Sequence, residues 1–140
     1  MASIQNDIRA ALESHLAGTS GLPSIAYENV AFEPTTGTSF LKVQYLPTVT
    51  RPAVRGLNPQ LRYQGIFAVT VFTPEGKGPA AADDYSNKVI DAFAATTDIS
   101  FTNGDAETIK VSIDYAERQQ GIIDSPWYFV PINIGWYIYN

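Results

Sequence analysis

The sequence contains no cysteine. Disulfides, thiolate metal sites and a cysteine nucleophile are thereby excluded, while the redox compartment is left open because a chain without thiols suits any. Histidine is nearly absent too: His15 is the only one, beside Leu16 near the end of an amphipathic segment. With no His-x-x-x-His pair and no acidic calcium loop of the D-x-D-x-D-G kind, neither a metal nor another cofactor is expected. Charge is scarce as well. Charged residues make up 16% of the 140 residues, below the roughly one quarter typical of soluble domains. That deficit fits either a domain with a large core or a subunit whose apolar patch is covered by a neighbour, and an aromatic content of 12% favours the second. No stretch approaches the roughly 18 apolar residues of a membrane helix, so no membrane partner is expected. Asp7, Arg9 and Glu13 interrupt the first 18 residues, which therefore lack the apolar core of a signal peptide, and export by that route is not expected. Basic residues are outnumbered, 9 Lys+Arg against 14 Asp+Glu for a net charge of -5, so specific nucleic-acid binding is not expected either.

What is present is patterning. Ile4, Ile8, Leu12 and Leu16 recur at steps of four with Ala11 and His15 beside them, which predicts a helix over 3–17 that Ser3 caps and Gly18 ends. A turn-rich break follows, and then two segments of strand composition, Ile25 to Phe32 and Ser39 to Leu46. In the second, Leu41, Val43 and Tyr45 share one face, opposite Lys42 and Gln44. Pro47 to Leu61, with three prolines, Arg51 and Arg55, reads as a long loop. Arg62 to Thr73 alternates Tyr63, Phe67, Val69 and Val71 against a mixed face containing Ile66, Ala68, Thr70 and Phe72. Pro79 suits a first helical residue, and Ala82, Tyr85, Val89, Ala92 and Phe93 predict a second amphipathic helix running to about Ala95. Thr108 to Tyr115 puts Ile109, Val111, Ile113 and Tyr115 on one face, a half-buried strand. Ser125 to Asn140 is apolar or aromatic on both faces, so that strand is either covered twice or completed by a partner subunit. With no repeat and no linker, the chain reads as one domain over 1–140 of α+β class: a mostly antiparallel β-sheet with two helices packed on one face.

Catalytic motifs do not emerge. Pro74-Glu-Gly-Lys-Gly-Pro79 resembles a phosphate loop only superficially, because Val71 stands where the first glycine is needed and Gly78 where the hydroxyl residue should follow the lysine. Ser14 and His15 are helical neighbours pointing about 100 degrees apart, not a nucleophile and its base. Asp83 and Asp84 suit a helix start, and Asp105 and Glu107 sit by an Asn103-Gly104 turn, so neither pair reads as a hydrolytic couple. No enzyme is expected, and no catalytic residue is assigned.

Four stretches in order carry a family resemblance: the N-terminal amphipathic helix, Ile25 to Pro34, Tyr63 to Pro79, and Trp127-Tyr-Phe-Val-Pro-Ile-Asn-Ile. Together they resemble the tail terminator-like (tail completion) proteins of long-tailed bacteriophages. The resemblance implies a small α+β subunit that assembles with itself into a ring, commonly a hexamer, on the head-proximal end of the tail tube. Such a ring stops tube polymerisation and offers a surface to the head–tail connector protein, so the implied partners are further copies, the tail tube protein and that connector. The implied location is the head-proximal end of the virion's tail, after assembly in the cytoplasm of the host bacterium. On this reading Arg51, Arg55 and Arg62 are candidates to pair with acidic groups of a neighbour or the tube rim. Lys77, at a glycine-flanked tip, is a candidate contact with tube or connector. Trp127, Phe129, Tyr137 and Tyr139 are candidates for subunit contact. A head–tail connector or minor tail component is the alternative, and a small-molecule binding domain a more distant one.

Overall fold

The structure is a computed structural model that describes residues 4–35, 37–52, 56 and 60–139. The described residues form two helices, α1 (Ile4–Ala17) and α2 (Ala80–Ala92), and eight strands. The strands are β1 (Ser24–Ala26), β2 (Phe40–Pro47), β3 (Arg51–Pro52), β4 (Leu61–Pro74), β5 (Asp98–Thr102), β6 (Thr108–Arg118), β7 (Ile122–Asp124) and β8 (Trp127–Tyr139). They form one curled sheet in the order β1-β2-β4-β8-β6-β5, with β3 pairing β4 and β7 pairing β8. The sheet is mostly antiparallel, as its sequence suggests, but mixed, because β1 joins β2 in parallel. Among the described residues, no helix is long and apolar enough to cross a membrane.

The alternation in β4 and β8 explains why these long strands lie in the middle. They pair without a break from Arg62 opposite Tyr139 to Pro74 opposite Trp127. Phe67, Val69 and Val71 of β4 and Val130, Ile132, Ile134 and Trp136 of β8 are at most 1% exposed, and they share a cluster with Ile8, Leu12 and Leu16 of α1 and Ala82 and Val89 of α2. The steps of four in α1 thus become the core stripe that the sequence predicts. Two polar residues enter the same region with partners. Asp7 accepts a 3.0 Å hydrogen bond from Asn103 Nδ2, and Ser86 Oγ donates to the Ala82 carbonyl at 2.7 Å. His15 is structural: its Nε2–H donates to the Ala92 carbonyl at 2.6 Å, and its ring meets Phe93 edge-on at 4.9 Å, tying the ends of the two helices together.

Several expectations are corrected. The first strand stops at Ala26 instead of reaching Phe32, because Asn29 adopts φ 56, a left-handed turn conformation that asparagine tolerates and a strand does not. Within the expected loop 47–61, β3 pairs Arg51 with Arg62 and Pro52 with Leu61. Ser3 and Arg55 lie outside the described residues. The second helix begins at Ala80, with Pro79 in the capping position before it, and ends at Ala92. Strands β5 and β7 add to those that the sequence predicts. Tyr115 does not share the core face of Ile109, Val111 and Ile113: a β-bulge between Ile113 and Tyr115 shifts the register, so Tyr115 lies opposite Gly135 and Ala116 opposite Ile134. The extra residue turns every later side chain of β6 over, which brings Arg118 to within 2.6 Å of Asp83 on α2.

Candidate assembly interface

The face of the β4–β8 pair opposite the core is where the sequence-selected aromatics gather. At one end, Phe40 of β2 stacks on Phe72 of β4 with ring centres 4.5 Å apart and planes within 3°. Trp127 stands edge-on to Phe40 at 5.1 Å, Phe129 lies 5.3 Å from Phe72, and Phe32 of the β1–β2 connection adds a fifth ring 5.1 Å from Phe40. Trp127, Phe129 and Phe72 remain half-exposed. At the other end, Tyr137 and Tyr139 meet edge-on at 5.8 Å, and the Arg62 guanidinium carbon lies 4.9 Å from the first ring and 5.8 Å from the second. Tyr139 is 48% exposed.

Between these ends an apolar row crosses four strands: Leu46, Ile66, Gly135 and Tyr115 are successive cross-strand neighbours. Gly135 is what allows it. A Cβ at that position would lie 2.2 Å from Tyr115 Cε1, so the tyrosine ring occupies the space that any other residue would take. The bulge and the glycine together present Tyr115 on this face, 37% exposed, and Leu46 at the other end of the row is 46% exposed. Sequence reading missed this row, since the alternation alone sends Tyr115 to the core. A glycine facing an aromatic in the neighbouring strand was the available signal.

The basic candidates divide. Arg51 and Arg62 are brought together as directly opposed residues of β3 and β4. Lys77 sits at the far end of the sheet, exposed in the turn after β4 between Gly76 at φ 83 and Gly78 at φ 76. That turn is held beside the start of β8 by Glu75 N–H donating to the Pro126 carbonyl at 3.0 Å and Ser125 Oγ donating to Glu75 Oε2 at 2.5 Å. At about 3.3 Å per strand residue, Lys77 lies roughly 40 Å along β4 from Arg62, so the two do not form one patch.

Two clefts flank the Tyr27–Val30 segment. One, about 530 Å³, is lined by Phe32, Phe40, Lys42 and Phe72 among others; the second, about 700 Å³, lies against α1 at Arg9, Glu13 and Ser14. Burial pushes the Glu13 carboxyl above its ordinary value, against the pull of Arg9 and with the help of Glu28. Glu28 also accepts the Tyr45 backbone N–H, and Tyr45 donates its hydroxyl to Gln5 Oε1. Burial raises the Tyr45 hydroxyl to about 12 although Arg9 opposes the rise. Neither cleft gathers a nucleophile with its base, and among the described residues no three His, Cys, Asp or Glu side chains group to hold a metal.

A family model described as phage tail terminator protein matches residues 7–136, nearly the full length. The chain belongs to that family. It is a family of structural virion proteins, and the chain is accordingly a structural protein of a phage tail. No curated protein matches the sequence. One solved structure, which bears no functional name, is 25% identical with a TM-score of 0.72 over 99% of this chain and 97% of its own. A chain from the virion of the native gene transfer agent (GTA) particle is 14% identical with a TM-score of 0.66, covering 100% of both chains. At that identity the second likeness is one of fold. It shows that a component of an assembled particle uses the same architecture from end to end.

Proposed function

We propose that this protein terminates a phage tail: copies assemble into a closed ring, a hexamer, on the head-proximal end of the tail tube, stop its polymerisation and present the surface on which the head–tail connector docks. The observation that carries this reading is the half-exposed aromatic face of β4 and β8, rimmed by Arg62, on a member of the tail terminator family. A surface of this composition suits a protein contact, since aromatics and arginine are enriched in interface cores. Ring closure requires a heterologous contact repeated by rotation, in which the aromatic face of one copy meets a different surface of the next. The work of such a protein is geometric, and no catalytic step is needed.

We take residues 1–140 as a single domain with both helices on the core face of the sheet. Supporting this is the shared burial of Ile8, Leu12, Leu16, Ala82 and Val89 with the inward residues of β4, β6 and β8. Such an arrangement leaves the opposite face for neighbouring subunits. Trp127, Phe129, Tyr137 and Tyr139 are then subunit contacts, and Lys77, at a glycine-flanked turn, a contact with tube or connector. The tail tube protein is the partner on one side of the ring and the connector protein on the other, in a virion assembled in the bacterial cytoplasm.

The test is mass in solution across a wide concentration range, with negative-stain imaging of the same samples and of purified tubes mixed with the protein. Six-fold rings, or density capping one end of each tube, are expected. A chain that stays monomeric and leaves tubes uncapped overturns the reading. Binding to isolated connectors without capping favours a connector component instead.

A further inference from the structure

Arg51 and Arg62 occupy directly opposed positions of an antiparallel pair, the arrangement in which like charges repel most. Neither has an ion-pair partner among the described residues, where the pairs found are Lys110 with Asp98 and Arg118 with Asp83. Arg62 Nε is moreover buried with no hydrogen-bond partner. Its guanidinium carbon lies 4.9 Å from the centre of the Tyr137 ring and 5.8 Å from that of Tyr139, contacts that restrain the fork instead of leaving it to rotate in solvent. A cleft of about 210 Å³ opens beside it, lined by Thr48, Gln64, Ile66, Asp114 and Tyr115 with Arg62 itself. Asp114 shares this cleft but makes no ion pair with the arginine within 4 Å.

We propose that the Arg51–Arg62 pair, backed by Tyr137 and Tyr139, is a carboxylate receptor filled by an aspartate or glutamate side chain of a second copy of this chain. This rests on the ring assembly proposed above and adds the group that specifies its contact. Charge complementarity selects the occupant. The whole chain carries 14 acidic against 9 basic residues, whereas the stretch 47–62 holds three arginines and no acid. A neighbouring copy is therefore an acidic surface meeting a locally basic corner, and a planar guanidinium matches a carboxylate with two parallel hydrogen bonds. A nucleic-acid phosphate is the other anion such a corner would attract, and the net charge of -5 works against it.

Native mass spectrometry and sedimentation of the wild type, Arg51→Gln and Arg62→Gln test this, with tube capping measured in parallel. The wild type is expected to associate less as salt rises, and each variant to associate about tenfold or more weakly at low salt, as loss of a charge-pair partner implies. Arg51 is exposed, so its variant keeps the test valid if Arg62→Gln fails to fold. Variants that associate as well as the wild type overturn the receptor while the ring stands. A wild type that neither associates nor caps tubes overturns both. Unchanged association with loss of measurable DNA binding assigns the corner to phosphate and overturns the receptor too. Identification of the acid follows from Arg62→Lys: a carbodiimide should join the new amine to a carboxylate of another copy, found as a mixed-label crosslink between isotopically labelled and unlabelled chains. A crosslink only within one chain, to Asp114, counts against the proposal.

Discussion

Two glycines in neighbouring central strands have opposite consequences when given a side chain. A Cβ at Gly65 would lie 2.5 Å from the Leu46 carbonyl oxygen, 2.9 Å from Pro47 Cα and 2.8 Å from Trp136 Cζ2, and two of these are backbone atoms that cannot move without breaking the β2–β4 pairing. Gly65→Ala is expected to cost about 2–3 kcal/mol in chemical denaturation, as overpacking does. At Gly135 the obstacle is the far end of a partly exposed tyrosine, so Gly135→Ala should displace Tyr115 and cost under about 1 kcal/mol. Tyr45 gives a pH signature. Its ring stacks on Trp136 at 5.4 Å, and burial raises its hydroxyl from 10.0 to about 12, so the folded state holds the proton more tightly than the unfolded one. The stabilisation is complete below pH 10 and is lost as pH rises from about 10 towards about 12. Tyr45→Phe should flatten the fall in stability over that window, and ultraviolet titration of the phenols should lose its latest-ionising component. A curve unchanged by the substitution assigns the alkaline transition elsewhere.

At the scale of elements, the decisive feature is the single extra residue in β6. Before it, Val111 and Ile113 point to the core; after it, Tyr115 points away and Ala116 and Arg118 take the inward positions. Deleting Asp114 removes the extra residue but leaves Ile113 opposite Trp136 and Tyr115 opposite Gly135, so Tyr115 stays on the outer face and Arg118 stays beside Asp83. The deletion is expected to cost about 1 kcal/mol, from the lost local twist of the bulge and not from a flipped register. Asp114→Ala keeps the residue count, removes only an exposed side chain, and should change the unfolding free energy by no more than about 0.5 kcal/mol. Loss of folding on deletion alone would mean that the twist imposed by the bulge, and not only the pairing around it, is required. The short strands share a different physics. Asp98–Thr102 shows only Ile99 and Phe101 in alternation, and Ile122–Asp124 has three exposed residues, so neither carries a periodic signal of its own. Each is a strand because a longer neighbour supplies its hydrogen bonds.

For the whole molecule, the question is what covers the second face of β4 and β8. Tyr137→Ala combined with Tyr139→Ala removes half-exposed rings and leaves the inward residues Trp136 and Ile138 in place. The double variant is expected to remain folded by circular dichroism and thermal melting yet lose self-association by sedimentation. Loss of folding would place these rings among the structural residues, and unchanged association would move the contact elsewhere. The same experiment bears on the arginine corner, because Tyr137 and Tyr139 are the rings against which the Arg62 guanidinium rests.

Much of this was determined by the sequence alone. Apolar steps of four in α1 and strict alternation in β4 and β8 leave one arrangement that buries them, so the helices, the two long central strands and the candidate aromatics were legible as local patterns. The structural role of His15 was legible too, but not its partner, since Ala92 lies 77 residues away. Tertiary structure alone decided which residues meet. A bulge flips a face without leaving any trace in the alternation. The two-residue strand β3 has no period to detect, yet it sets Arg51 against Arg62. Local patterns report burial, because burial repeats along the chain; the meeting of distant side chains depends on register, which is fixed only when the strands pair.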